Sequence, residues 1–113
     1  MTGLTTHVLD TTLGRPASGV TLRLFRDGQL LVETVTNADG RCDAPLLTGE
    51  TIHRGRYRLE FEVGAYFRGL GLDLPTPAFL EVVSLDFGIA HPADHYHVPL
   101  LVSPYGYSTY RGS

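Results

Sequence analysis

An antiparallel β-sandwich is the fold this sequence predicts, and three observations predict it. Seven or eight short segments alternate apolar and polar residues with the period of two that a half-buried strand requires. Turn residues (Gly, Pro, Asn, Asp) separate those segments at regular intervals. Helical periodicity is almost absent: only residues 64–71 could form one or two helical turns, and three glycines weaken that stretch. With 113 residues, the chain is read as one domain with a real but modest core.

Each strand has its own warrant. In residues 4–9, Leu4, Thr6 and Val8 share one face, and Thr5, His7 and Leu9 share the other. A turn follows at 14–19. Val20, Leu22 and Leu24 then mark a second strand, with Thr21 and Arg23 on its outer face. Asp27-Gly28 is a hairpin signal, and Leu30–Thr36 returns as the third strand. The turn Asn37-Ala38-Asp39-Gly40 delivers Arg41 and Cys42 to the start of a short strand. Tyr57, Leu59, Phe61 and Val63 alternate with Arg58, Glu60 and Glu62, the clearest half-buried strand in the chain. Pro75 and Pro77 mark a loop, and Phe79–Phe87 is strand-like. His91-Pro92-Ala93-Asp94 turns into a strand over 95–102; Pro104-Tyr105-Gly106 connects it tightly to a last strand, Tyr107–Tyr110.

Composition excludes several classes of function. The net charge is −3 and all nine basic residues are arginines, so no lysine is present to form a Schiff base. The arginines are scattered except for Arg54, Arg56 and Arg58, which share one strand face; nucleic-acid binding is not expected. No apolar run approaches the ~20 residues of a membrane span. The first residues lack the basic and apolar regions of a secretory signal. Cys42 is the only cysteine, which rules out an internal disulfide and fits a reducing compartment. A cytoplasmic protein is the expectation.

Two strands break the half-buried pattern. Tyr96, Val98, Leu100 and Val102 make one apolar face, yet His97, Pro99 and Leu101 opposite them do not make a normal solvated face. Thr5, His7 and Leu9 raise the same question. A sandwich of this size has one core, between its sheets. Semi-polar outer faces therefore predict a sheet covered by another subunit, with His7 and His97 in the contact.

The candidate chemistry starts from these histidines. His91, His95 and His97 carry a His-x-His spacing that zinc sites use, but the run lacks a glutamate placed as general base, and no metal is expected. His7 reads either as a half-exposed strand histidine or as a proton acceptor; His97, among apolar neighbours, needs a partner for its imidazole. Arg41 is either a solvated loop arginine or a planar donor for a developing oxyanion. Cys42 is structural. Ser113 lacks an adjacent base and reads as a positioning group, not a nucleophile. The final Tyr110-Arg111-Gly112-Ser113 reads either as the run-on of a last strand or, given the tyrosines at 105, 107 and 110, as a segment held in place and used.

Together these residues resemble the 5-hydroxyisourate hydrolases, the transthyretin-related enzymes of purine catabolism. The resemblance rests on Leu4-Thr5-Thr6-His7-Val8-Leu9-Asp10 with Gly14-Arg15-Pro16-Ala17, on Thr36-Asn37-Ala38-Asp39-Gly40-Arg41, on Tyr57-Arg58-Leu59-Glu60-Phe61, and above all on the closing Tyr-Arg-Gly-Ser. It implies an all-β, transthyretin-like (prealbumin-like) sandwich of two four-stranded sheets with one short helix. It also implies a homotetramer, a dimer of dimers, with active sites in the channel where dimers meet. The family's catalytic positions fall on His7, Arg41 and His97, with Ser113 helping to hold water; Tyr110, Arg111, Gly112 and Ser113 wall the substrate site. No metal or organic cofactor is implied. The implied reaction hydrolyses a ring amide of 5-hydroxyisourate to give 2-oxo-4-hydroxy-4-carboxy-5-ureidoimidazoline.

Overall fold

A computed structural model describes residues 2–113. Nine strands and one helix follow in the order β1 (Gly3–Asp10), β2 (Arg15–Pro16), β3 (Thr21–Arg26), β4 (Gln29–Val35), β5 (Leu47–Thr48), β6 (Gly55–Phe61), α1 (Val63–Gly69), β7 (Val83–Ile89), β8 (His95–Ser103) and β9 (Gly106–Thr109). One sheet has the order β4-β3-β6-β7. The other has the order β2-β1-β8-β9, with the two-residue β5 also pairing on β1. The chain is the expected all-β sandwich of two sheets with one short helix, but the sheet that contains β1 has five strands instead of four, because β5 pairs on it as well.

The alternation read from the sequence decides what lies between the sheets. Leu4, Val8, Leu22, Leu24, Leu59, Phe61, Val83, Leu100 and Val102 are all essentially inaccessible. Each such side chain contributes about 1.5–3 kcal/mol relative to remaining exposed. Most strand pairs are antiparallel, but β1 and β8 run parallel, pairing Thr5 with His97 and His7 with Pro99. A parallel pair needs a long crossover, and here the whole intervening chain supplies it.

Three local expectations are corrected. Arg41 and Cys42 do not start a strand; Arg41 makes a single bridge to His7, and the short strand lies further on at Leu47–Thr48. Val63 opens α1 instead of closing β6. Residues 79–82 are not strand, and β7 begins at Val83. The cause is Glu81, whose carboxylate binds Arg68 of α1 and the Ala78 amide, drawing this segment toward the helix.

Helix α1 forms despite its glycines because its Tyr66 and Phe67 are buried. The Tyr66 hydroxyl donates to Asp10 Oδ2 at 2.7 Å, tying the helix to the end of β1. Asp10 Oδ1 accepts the Thr12 and Leu13 amides at 2.9 and 3.1 Å, so one buried carboxylate fixes both the helix and the turn after β1. Burial and the Asp10 hydrogen bond push the Tyr66 phenol up to about 12.

Candidate active site

The parallel β1–β8 register sets His7 and His97 on the same outer sheet face, beside Pro99 and Thr5 respectively. Both rings are half-buried. His7 Nε2–H donates to the Asp39 carbonyl at 2.8 Å. A carbonyl can only accept, so the neutral ring keeps its lone pair on Nδ1. His97 Nδ1 lies 2.8 Å from Thr5 Oγ1, which in turn lies 3.3 Å from His95 Nε2. The only buried, unpartnered side-chain nitrogens among the described residues are Arg26 Nε and His95 Nδ1. The free nitrogens of His7 and His97 therefore remain open on the sheet face.

Arg41 reaches this face through its turn. Asn37 Oδ1 accepts the amides of Asp39 and Arg41, at 2.9 and 3.2 Å, and the Asn37 amide donates to the Arg41 carbonyl at 2.7 Å. The turn then zips onto β1: the Val8 amide donates to the Gly40 carbonyl at 2.8 Å, and Arg41 bridges His7. Gly40 has φ +73, and a Cβ there would lie 2.4 Å from the Val8 carbonyl oxygen. Only glycine allows the turn this close to the strand. Asn37 Nδ2 also donates to Asp43 at 2.9 Å, which turns the chain away after Arg41 instead of extending a strand. The Arg41 side chain is exposed and enters none of the ion pairs found among the described residues.

The closing residues divide between two sides of the sheet. The Gly112 amide donates to the His97 carbonyl at 2.7 Å, and a Cβ at Gly112 would lie 2.6 Å from His97 Cδ2. The glycine thus lets the tail lie directly against the imidazole. Arg111 turns the other way: its guanidinium stacks 4.1 Å from the Tyr96 ring centroid and donates to the His95 carbonyl at 3.2 Å. Tyr110 and Ser113 are exposed. The chain itself therefore brings together His7, Arg41, His97 and Gly112, whereas Arg111 anchors the tail from behind.

Electrostatics favour neutral imidazoles. Burial, then the Arg41 charge, hold His7 below its ordinary value; the Asp39 carbonyl opposes them without reversing the sign. His97 is lowered by burial, then by Arg41, His7 and His95. Burial likewise raises the Cys42 thiol, which fits a structural role. The three histidines of the His91–His97 run do not gather a ligand set: among the described residues no group of three or more His, Cys, Asp or Glu side chains converges.

The outer faces of the two sheets are chemically unlike. The β4-β3-β6-β7 sheet carries ion pairs, Arg23 with Glu33 and Glu62 and Arg58 with Asp86. The face made by β1 and β8 shows Thr5, His7, Leu9, His95, His97, Pro99 and Leu101, with no formal charge except Arg41 at its edge. Two clefts lie away from this face, one beside Arg56 and Arg58 and one between β7 and β8 against Tyr96, Tyr110 and Arg111. The residues sequence reasoning passed over as participants are Thr5 and Asn37. Thr5 shares the parity of His7, and Asn37 opens an Asn-x-Asp-Gly turn; both signals are present in the chain.

Two packed sheets with one uncharged, histidine-bearing outer face define a transthyretin-fold protein whose candidate chemistry lies on a sheet rather than in a loop pocket. The chain belongs to the HIUase/Transthyretin family, which it matches over residues 4–112. It is 60% identical to 5-hydroxyisourate hydrolase 2 of Rhizobium meliloti (strain 1021), over 97% of this chain and 95% of that one. The structure of Klebsiella pneumoniae 5-hydroxyisourate hydrolase superposes with a TM-score of 0.82 at 42% identity, covering 97% of this chain and 98% of that one. Sea bream transthyretin in complex with thyroxine superposes equally well, with a TM-score of 0.83 at 34% identity over 96% and 93% of the two chains. The fold is common to enzyme and carrier; the site residues have to separate them.

Proposed function

We propose that this chain is a 5-hydroxyisourate hydrolase of urate degradation, producing 2-oxo-4-hydroxy-4-carboxy-5-ureidoimidazoline by attack of water on a ring amide carbonyl. The observation that carries the reading is His7 and His97 on an otherwise uncharged face with Arg41 at its edge, in a chain 60% identical to a named hydrolase. A carrier of a hydrophobic ligand has no need of two neutral imidazoles beside an unpaired arginine.

The chemistry follows from the groups present. Water adds to the carbonyl carbon; its proton passes to an imidazole nitrogen, and the carbonyl oxygen gains negative charge. Arg41, which has no carboxylate partner among the described residues, stabilises that charge. As the carbonyl re-forms, the ring C–N bond breaks and the nitrogen takes a proton back from imidazolium. The Ser113 hydroxyl helps hold the water, and Tyr110, Gly112 and Ser113 form part of the wall, with Arg111 fixing the tail.

The functional unit in this reading is a homotetramer, a dimer of dimers, whose channel is lined by the β1–β8 outer faces. Its support is the charge asymmetry of the two sheets and the half-buried Leu9 and Leu101 on the uncharged one. The lone, half-buried Cys42 fits a reducing, cytoplasmic setting. His7→Ala and Arg41→Ala test the assignment. Each is expected to lower turnover by about 10²- to 10⁴-fold while the assembled mass is unchanged. A variant with near-normal turnover would remove that residue from the mechanism.

A further inference from the structure

We propose that Thr5 and His95 are positioning residues that hold the proton of His97 on Nε2, so that His97 presents an N–H to the substrate while His7 presents a lone pair. The inference deepens the hydrolase reading and rests on it for the reaction. Thr5 Oγ1 lies between two rings, 2.8 Å from His97 Nδ1 and 3.3 Å from His95 Nε2. A hydroxyl carries one proton, so it donates to one ring and accepts from the other.

The two arrangements are not equivalent. If Thr5 donates to His95, the neutral His95 ring must carry its proton on Nδ1, which is buried and has no partner. That strands a buried donor, the costlier of the two defects. If Thr5 donates to His97 Nδ1, His95 donates from Nε2 and its Nδ1 is only an unused lone pair. The distances agree with the second arrangement: 2.8 Å suits an O–H donor, and 3.3 Å a weaker N–H contact. His97 then bears its proton on Nε2, the nitrogen open on the sheet face.

His7 has the opposite polarity. Its Nε2–H is committed to the Asp39 carbonyl at 2.8 Å, so Nδ1 is its acceptor. One ring is set to take the proton of water and the other to donate to the carbonyl oxygen or departing nitrogen. The division comes from two partners outside the reacting groups, Thr5 and Asp39.

The tautomers can be read directly by long-range ¹H–¹⁵N correlation NMR of the histidine rings at about pH 8, where both are neutral. The expected spectrum has His97 protonated on Nε2 and His7 also protonated on Nε2; a His97 proton on Nδ1 would overturn the proposal. Thr5→Val removes the donor at nearly constant shape. It is expected to lower kcat about 10- to 100-fold with KM little changed, and Thr5→Ser to restore most of the loss. Wild-type kcat in Thr5→Val would also overturn it. Because the wild-type spectrum needs neither substrate nor variant, it decides the tautomer even if the chain proves not to be a hydrolase.

Discussion

His7 and His97 face the same way but are held by different partners, and both are kept neutral by burial and by Arg41. Their lowered values fix a pH dependence. A histidine lowered in the folded state is protonated more readily in the unfolded one, so its contribution to stability is present above the ordinary value of 6.5 and is lost as pH falls through the lowered value. Activity follows the same sign: turnover is expected to be level above about pH 7 and to fall on acidification, with a midpoint below 6.5. Initial rates from pH 5 to 8 check this, and a midpoint above 6.5 would contradict it. The parity of His7 was legible because Leu4, Thr6 and Val8 alternate around it. The bridge from Thr5 to His97 was not, because it depends on a parallel register between residues 92 positions apart. The glycine before the last residue became intelligible only when its approach to the His97 ring was seen.

At the scale of elements, period-two patterning located the long strands, because burial of one face leaves a strong signal. It failed where side chains outside the strand ladder decide the path. Residues 79–82 look like a strand, but Glu81 is held by Arg68 and the Ala78 amide, and β7 starts only at Val83. Helix α1 was visible only as a weak possibility, since its stability comes from burial of Tyr66 and Phe67 and from Asp10, 56 residues away. Tyr66→Phe isolates that tie. It leaves the ring packed and removes one hydrogen bond to a buried carboxylate, so a loss of about 1.5–3 kcal/mol is expected. Urea unfolding at fixed protein concentration measures it, and a change below about 0.5 kcal/mol would show that the helix docks without the bond.

At the scale of the whole molecule, the two sheets share one core but differ in their outer faces, one laced with ion pairs and the other uncharged with three histidines. That difference was partly legible: the odd outer faces of residues 4–9 and 95–102 already predicted a covering subunit. That the loop of Arg41 joins them was legible only through the resemblance and not from the residue pattern, because Arg41 arrives through a turn whose geometry depends on Gly40 lying against Val8. Light scattering is expected to give the mass of four chains. Leu101→Arg, on the uncharged face, should lower that mass, whereas Arg58→Ala, on the charged face, should not. An unchanged mass for Leu101→Arg would place the subunit contact elsewhere.

An enzyme and a carrier on this transthyretin fold differ in what they do to 5-hydroxyisourate. Freshly generated 5-hydroxyisourate decays in buffer, and its ultraviolet absorbance can be followed with and without the protein. The expected result is decay accelerated in proportion to protein concentration, with the acceleration cut by about 10²- to 10⁴-fold in Arg41→Ala. Decay no faster than in buffer, from protein of the assembled mass, would exclude the hydrolase activity and leave the histidine face without its assigned chemistry.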